Sequence, residues 1–281
     1  MSEKQPIVSI LGNSVPLLIQ PFRQGAHDKT YIEHLRDDNF TILNASKQSV
    51  ILSDYYYFLE DECIRYFPDY VIIHTGIVEC TYRARPRWLQ NVFSMNAWNN
   101  SVIGKKYNGP VKRGIKYIVK KIYRKSVERP LYMLGIKGRW LGPKDFRFII
   151  KDISKRIFSD TPVKKIILIG MLPISSVIER QAPGTQKSII EYNQILKSLS
   201  EEYPNIIYFD PQSVTSADSQ SEVSSDGIHL TSLGHKLLAE KLKELLHGER
   251  VEYTEWQRIN QYENLYKIYE NSNKRKASRQ K

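Results

Sequence analysis

Short apolar runs recur along the chain, and each one ends in a turn-forming sequence. Five of them have the length and composition of buried strands: residues 7–11, 41–43, 70–74, 164–170 and 205–210. Between them, residues 50–59 and 188–199 carry apolar side chains at helical spacing. Because strands that alternate with helices form βαβ units, the pattern predicts a three-layer α/β/α sandwich with a parallel sheet of about five strands.

Two segments do not follow this alternation. Residues from about 82 to 160 contain no clear strand, and within them 111–125 has one apolar helical face surrounded by Lys and Arg. Such a helix packs on the core with a solvated basic face, covers a site as a lid, or rests on anionic lipid, and the sequence leaves these alternatives open. Residues 251–281 are predicted to form an aromatic-faced helix, which docks on the domain or on a second copy, followed by a disordered basic tail. We therefore predict one domain over 1–250 with a basic helical insert at about 82–160.

Catalytic chemistry is suggested first by the loop that precedes the last Leu-rich helix. Asp226 and His229 stand three residues apart in a Ser/Gly-rich turn. A carboxylate that orients an imidazole and stabilises its positive charge makes the imidazole a useful general base. The loop therefore predicts a general base, which would act on a nucleophile from another part of the chain.

Ser14 is the candidate nucleophile. It lies in the turn Gly12-Asn13-Ser14, directly after the first predicted strand, and the carboxyl ends of parallel strands are where α/β proteins place ligands. The same turn is also compatible with a purely structural role, in which it ends the strand or caps a helix.

Charge and cysteine content restrict the function classes. The 281-residue chain has 42 Lys and Arg against 30 Asp and Glu, a formal net charge of +12 that favours acidic partners. No base-reading module accompanies this charge, so nucleic acid is the least favoured partner. No signal peptide or 20-residue apolar run is recognisable, and Cys63 and Cys80 are expected to be reduced. The expected compartment is the cytoplasm, with peripheral attachment at the inner membrane face as an alternative.

With these turns described, the chain resembles the SGNH (GDSL-type) family of esterases, lipases and acyltransferases, whose fold is flavodoxin-like. Four segments carry the likeness: Gly12-Asn13-Ser14, Asn44-Ala45-Ser46 followed by Ser49, Gly76-Ile77-Val78-Glu79, and Asp226-Gly227-Ile228-His229. The likeness spans roughly residues 7–80 and 164–247, and the Asp-x-x-His segment is its most specific part. It implies Ser14 as nucleophile, His229 as base and Asp226 as the residue that orients His229.

The remaining site residues implied by the resemblance depart from the family pattern. Ser49 replaces a glycine, and Val78 replaces the asparagine that donates a side-chain hydrogen bond to the oxyanion, while Gly76 is retained. Valine cannot donate. Arg83 and Arg85 follow closely and are candidate replacement donors, although a solvated basic edge is the alternative explanation for them.

The resemblance implies a serine esterase or acyltransferase without a cofactor, and no metal is expected because no cluster of His, Cys and carboxylates in the sequence has the spacing of metal ligands. The Gly-Ile-Val-Glu-Cys segment followed by arginines resembles SGNH-like proteins of bacterial cell-surface polysaccharide synthesis. The expected substrate is therefore an O-acyl ester, with acetyl first, of a sugar or surface-polysaccharide precursor, with an anionic glycan or a membrane surface as a possible partner of the insert. A lipid esterase or thioesterase at a membrane surface, and a catalytically impaired binding or scaffold protein, are the alternatives.

Overall fold

The fold is built on one twisted parallel sheet. The structure, a computed structural model, describes residues 5–17, 29–48, 50–83, 126–127, 129–135, 137–214 and 228–247. Within these ranges five strands pair in the order β2-β1-β3-β4-β5, and every neighbouring pair is parallel. The strands are β1 (Ile7–Gly12), β2 (Thr41–Asn44), β3 (Tyr70–His74), β4 (Lys165–Ile169) and β5 (Ile206–Phe209). The predicted five-stranded α/β architecture is confirmed.

The strand order places a crevice at one edge of the sheet. The chain runs from β1 outward to β2 and then returns to the other side of β1 to form β3. This reversal is a topological switch point, where the loops after the two central strands diverge and leave room for a ligand. The crevice therefore lies above the carboxyl ends of β1 and β3.

Helices cover both faces of the sheet. The described α-helices are α1 (Tyr31–Arg36), α2 (Leu59–Glu62), α3 (Ile77–Cys80), α4 (Arg129–Met133), α5 (Pro143–Asp160), α6 (Ser176–Gln181), α7 (Thr185–Glu202) and α8 (Ser232–His247). Buried side chains of α5 and α7 form one core with Val71 and Ile73 of β3. Those of α1 and α8 form a second core with Tyr70 and Ile72 of the same strand. Successive residues of β3 thus point to opposite cores, which is why the strand is apolar throughout.

Helix α5 lies within the segment from about 82 to 160 that was predicted to be an insert. Its buried residues Phe146, Ile149, Ile150, Ile153 and Ile157 recur every three or four positions and face the sheet. It is the crossover helix between β3 and β4, so residues 143–160 belong to the domain core and not to the insert.

The predicted helix over 50–59 is a 3-10 helix at Leu52–Tyr57 followed by the single turn of α2. Leu52 and Tyr55, three residues apart, are both buried, and this spacing suits the tighter winding. The Tyr55 hydroxyl donates to the carbonyl of Gly12 at 2.5 Å, so this segment also supports the turn after β1.

Arg83 and Gly138 are joined by backbone hydrogen bonds, although most residues between them in sequence are not described. The amides of Arg83 and Gly138 each donate to the other's carbonyl at 2.9 Å. Lys137 and Arg139 lie 5.2 and 4.9 Å from the ring centroid of Tyr82. The predicted helices at 111–125 and 251–281 lie outside the described residues. None of the helices in the described ranges has the length and apolar character that a membrane span requires.

Candidate active site

The turn after β1 carries Ser14 and is held by close packing at Gly12 and by a backbone hydrogen bond to β3. Gly12 ends the strand, and a Cβ there would lie 2.5 Å from Pro16 Cγ and 2.8 Å from Ser46 Oγ. The amide of Asn13 donates to the carbonyl of His74 at the end of β3, at 3.3 Å. A side chain at position 12 would push this turn away, so glycine is required for Ser14 to sit where it does.

Ser14 and His229 are brought together from opposite ends of the sequence. The Nε2 atom of His229 lies 3.0 Å from Ser14 Oγ, a hydrogen-bond distance suited to proton transfer from the hydroxyl to the ring. His229 is 9% exposed and stands just before α8, whose Leu238 and Leu242 anchor that helix in the core. The two residues meet at the carboxyl edge of β1, beside the switch point.

Three of the predicted site residues, Asp226, Ser49 and Arg85, lie outside the described residues. Their roles therefore stay predictions: Asp226 as the residue that orients His229, Ser49 as an oxyanion donor, and Arg85 as a donor to the substrate.

The turn after β3 is organised by a buried glutamate. The carboxylate of Glu79 accepts hydrogen bonds from the Thr75 hydroxyl (2.6 Å), the Gly76 amide (3.0 Å) and the Leu52 amide (2.8 Å). Burial raises the pKa of Glu79, while these hydrogen bonds act in the opposite direction. Since Leu52 follows β2, Glu79 connects the turn after β3 to the segment that carries Ser49.

Gly76 is required by its backbone conformation. Its φ of +121° lies in a region that favours glycine, and a Cβ there would stand 2.7 Å from Met171 Sδ. Helix α3 begins at the next residue, so Gly76 sets the direction in which Val78 is presented.

Arg83 supports this turn, and its action as a replacement donor to the oxyanion stays a prediction. Its Nη1 atom donates to the carbonyls of Val78 (2.5 Å) and Thr81 (3.1 Å), and its guanidinium stacks over Trp140 at 4.0 Å. Four C-terminal carbonyls of a helix lack intrahelical partners, and this arginine is placed to satisfy those at the end of α3. Val78 itself has an apolar side chain.

A small cavity lies beside the turns that carry Ser14 and His229. Its wall includes Asn13 and Val15 on either side of Ser14, and Ile228 and Leu230 on either side of His229. The rest is contributed mainly by residues after β3 and β4 and by α8: His74, Thr75, Ile77, Met171, Ile174 and Leu238. The cavity is therefore mostly apolar and is lined by the chain neighbours of Ser14 and His229.

Comparison with known proteins identifies the fold. No family model and no curated protein sequence matches the chain. A lipase/acylhydrolase from Enterococcus faecalis superposes with a TM-score of 0.55 at 14% identity, covering 88% of this chain and all of that one. A catalytic mutant of an acetylxylan esterase from Geobacillus stearothermophilus gives 0.52 at 15% identity, over 89% and 97% of the two chains. A proposed lipolytic protein of the G-D-S-L family from Desulfitobacterium hafniense gives 0.52 at 16% identity, over 85% and 98%.

The chain has the SGNH-hydrolase fold. Identities this low establish the architecture, and the activity has to be argued from the site itself. Among the described residues of this SGNH-fold protein, no group of His, Cys, Asp and Glu side chains is arranged to hold a metal ion.

Several residues shape the site through contacts that no sequence pattern indicates. Asn193 of α7 accepts from the Met171 amide and donates to the Met171 carbonyl, both at 2.8 Å, and so fixes the loop after β4. Glu79 was visible as part of a motif, but no pattern indicated its three hydrogen bonds. His74 at the end of β3 is buried and also lines the cavity.

His74 gives this SGNH-fold protein a specific dependence of stability on pH. Burial lowers the pKa of His74 from 6.5 to about 3, so its ring is neutral in the folded protein. Between these values the unfolded chain binds a proton that the folded chain excludes, and stability present above pH 6.5 is lost as the pH falls towards 3. We expect the unfolding free energy of wild type to fall by up to about 1.4 kcal/mol per pH unit more steeply than that of His74→Phe.

Urea denaturation of both proteins at pH 7, 6, 5 and 4 measures this difference. Other titrating groups, including Glu79, act in both proteins and largely cancel in the comparison. Parallel pH profiles would show that His74 does not titrate in this way.

Proposed function

We propose that the protein is a serine-dependent esterase or acyltransferase that acts on an O-acyl ester, with acetyl the first candidate, of a sugar or surface-polysaccharide precursor. The observation that carries the proposal is the 3.0 Å separation of Ser14 Oγ and His229 Nε2 beside an apolar cavity. A serine and a base at this distance form the arrangement that nucleophilic catalysis requires.

The reaction proceeds in two steps. Ser14 Oγ attacks the ester carbonyl while His229 Nε2 accepts its proton, and the tetrahedral intermediate collapses as the alcohol leaves with the proton from His229. The Ser14 ester is then attacked by water or by an acceptor hydroxyl, whose proton passes to His229 and returns to Ser14 as the acid or new ester departs. Hydrolysis and acyl transfer differ only in this second nucleophile.

A sugar as the alcohol component is supported by two observations. One neighbour in fold is an acetylxylan esterase. The net charge of +12 favours substrates that carry acidic groups, which many surface glycans do. The cavity is too apolar for a polyol, so the sugar is expected to lie outside it with the acyl group towards Ser14.

The experiment is covalent labelling combined with product analysis. Incubation with a fluorophosphonate, followed by peptide mass spectrometry, is expected to place the label on Ser14, and His229→Gln is expected to slow labelling because the base is lost. Acetate release from acetylated sugars, with and without an unacylated acceptor, separates hydrolysis from transfer. An unlabelled Ser14 together with no ester turnover would refute the proposal.

A catalytically impaired binding protein is the second candidate. It is favoured by Val78, which has no donor, and by the engagement of Arg83 with backbone carbonyls. In that case the fluorophosphonate leaves Ser14 unmodified although an anionic glycan still binds. The lipid esterase alternative depends on residues 111–125, which lie outside the described residues, and it stays a hypothesis from the sequence.

A further inference from the structure

Glu79 is a buried carboxylate that joins the segment after β2 to the turn after β3. Its side chain is excluded from solvent, with 0% exposure. The Oε1 atom accepts from the Leu52 amide at 2.8 Å, and the Oε2 atom accepts from the Gly76 amide at 3.0 Å. A backbone N–H can only donate. Both oxygens must therefore act as acceptors, which an amide side chain with its single oxygen cannot provide.

The 3-10 helix that begins at Leu52 connects this carboxylate to the turn after β1. Three residues along the helix, Tyr55 donates its hydroxyl hydrogen to the carbonyl of Gly12 at 2.5 Å. Burial raises the pKa of Tyr55, so the hydroxyl keeps its proton and remains a donor. Gly12 lies two residues before Ser14. A continuous series of contacts thus runs from Glu79 to the backbone that presents Ser14.

The turn after β3 is attached to the same backbone. The carbonyl of His74 accepts from the Asn13 amide at 3.3 Å. Glu79 holds the residue that follows His74, because its carboxylate accepts from the Thr75 hydroxyl at 2.6 Å. The position of Ser14 therefore depends on Glu79 through two segments of the chain, one after β2 and one after β3.

We propose that Glu79 is a positioning residue for the nucleophile Ser14, acting through the 3-10 helix at Leu52–Tyr57. Its carboxylate holds the start of that helix, and the Tyr55 hydroxyl passes the constraint to Gly12. Proton transfer depends on the 3.0 Å separation of Ser14 Oγ from the base, and a displacement of 1 Å can cost about 10²-fold in rate. The inference rests on the proposed function, since it takes Ser14 to be the nucleophile.

Replacing Glu79 by glutamine tests the role of the second oxygen. Glutamine has almost the same volume, but only one of the two backbone amides keeps its acceptor. We expect kcat for an aryl acetate to fall by about 10- to 10²-fold, while KM changes by less than about 2-fold, because alignment of the nucleophile acts on the transition state. Rates are expressed per folded protein, with the folded fraction taken from urea denaturation.

Asp69→Asn is the matched control. Asp69 is 4% exposed, and its Oδ2 atom accepts from the Ile7 amide at 2.8 Å, at the amino end of β1 and so at the opposite edge of the sheet from Ser14. The variant makes the same change from carboxylate to amide in a buried position of the same sheet. It is expected to lower stability and to keep the wild-type kcat. An unchanged kcat in Glu79→Gln, or an equal loss in both variants, would overturn the proposal.

Tyr55→Phe tests the route without altering the buried carboxylate, and so decides the matter even where Glu79→Gln does not fold. Loss of the hydroxyl frees the Gly12 carbonyl, and kcat is expected to fall by about 10-fold with little change in KM. Because the two residues act on Ser14 in series, the double variant is expected to lose clearly less than the product of the two single losses. A wild-type kcat in Tyr55→Phe, or a double loss equal to that product, would overturn the route.

Amide hydrogen exchange distinguishes failure of this proposal from failure of the proposed function. Peptides that contain Gly12 and Asn13 are expected to lose protection in Glu79→Gln and in Tyr55→Phe, and to keep it in Asp69→Asn. Wild type that turns over no ester refutes the esterase, yet the exchange measurement still decides whether Glu79 fixes the turn after β1. Unchanged protection of that turn in Glu79→Gln would overturn the positioning role.

Discussion

Replacing Ser14 by alanine is expected to lower kcat for ester hydrolysis by about 10⁴- to 10⁶-fold, the range seen when a catalytic serine is removed. Ser14 Oγ is the hydroxyl that lies 3.0 Å from His229 Nε2, and alanine leaves no atom to form the covalent intermediate. Acetate release from an acetylated sugar or an aryl acetate measures the change.

The interpretation depends on two further variants. His229→Gln is expected to show a loss of similar size, and the double variant should be no worse than either single one because the two residues act as a unit. Ser213→Ala, at an exposed serine in the turn after β5, should behave as wild type. Equal rates for wild type and Ser14→Ala would exclude the serine mechanism.

Replacing Val78 by asparagine is expected to raise kcat by about 10²-fold. An oxyanion-hole side-chain donor contributes about 2.7–4 kcal/mol where it is present, and the apolar side chain of Val78 contributes none of this. Gly76, Glu79 and Arg83 already fix the backbone of the turn that carries residue 78. The asparagine side chain would therefore start from a fixed Cα position. Because the donor acts on the transition state, kcat should rise while KM changes little.

Val78→Asp is the matched control, since aspartate has the shape of asparagine but cannot donate when ionised. It is expected to lower kcat below that of wild type, because a second negative charge opposes the developing oxyanion. The gain from Val78→Asn should also vanish in a Ser14→Ala background. An unchanged kcat in Val78→Asn would mean that another group already occupies the donor position.

The sheet was predictable because its strands are apolar throughout. Residues buried on both faces give continuous Ile and Val runs, such as 70–74, that stand out from the polar chain around them. The pairing of Ser14 with His229 was also accessible, because both follow recognisable turn sequences and parallel strands gather such turns at one edge. The positions of Asp226, Ser49 and Arg85 remain predictions.

Other features depended on contacts that a sequence does not display. Phe146, Ile150 and Ile157 recur at helical spacing, but the Lys and Arg residues between them are also typical of an exposed basic insert, so the sequence alone does not identify a core helix. The role of Arg83 followed from the carbonyls that a short helix leaves free at its end, and these exist only once the helix is formed. Likewise, Tyr55 in the 3-10 helix Leu52–Tyr57 hydrogen-bonds to the carbonyl of Gly12, a contact between residues distant in sequence.

The backbone pair between Arg83 and Gly138 has a consequence for how this architecture can diversify. Arg83 and Gly138 hydrogen-bond to each other through their backbones, and Arg139 holds the second of these positions through Tyr82 and an ion pair with Glu191. With the two ends clamped, doubling the length of what lies between them costs only about 0.6 kcal/mol of closure entropy. We therefore expect the segment between Arg83 and Gly138 to tolerate changes in length and sequence without displacing Ser14 and His229.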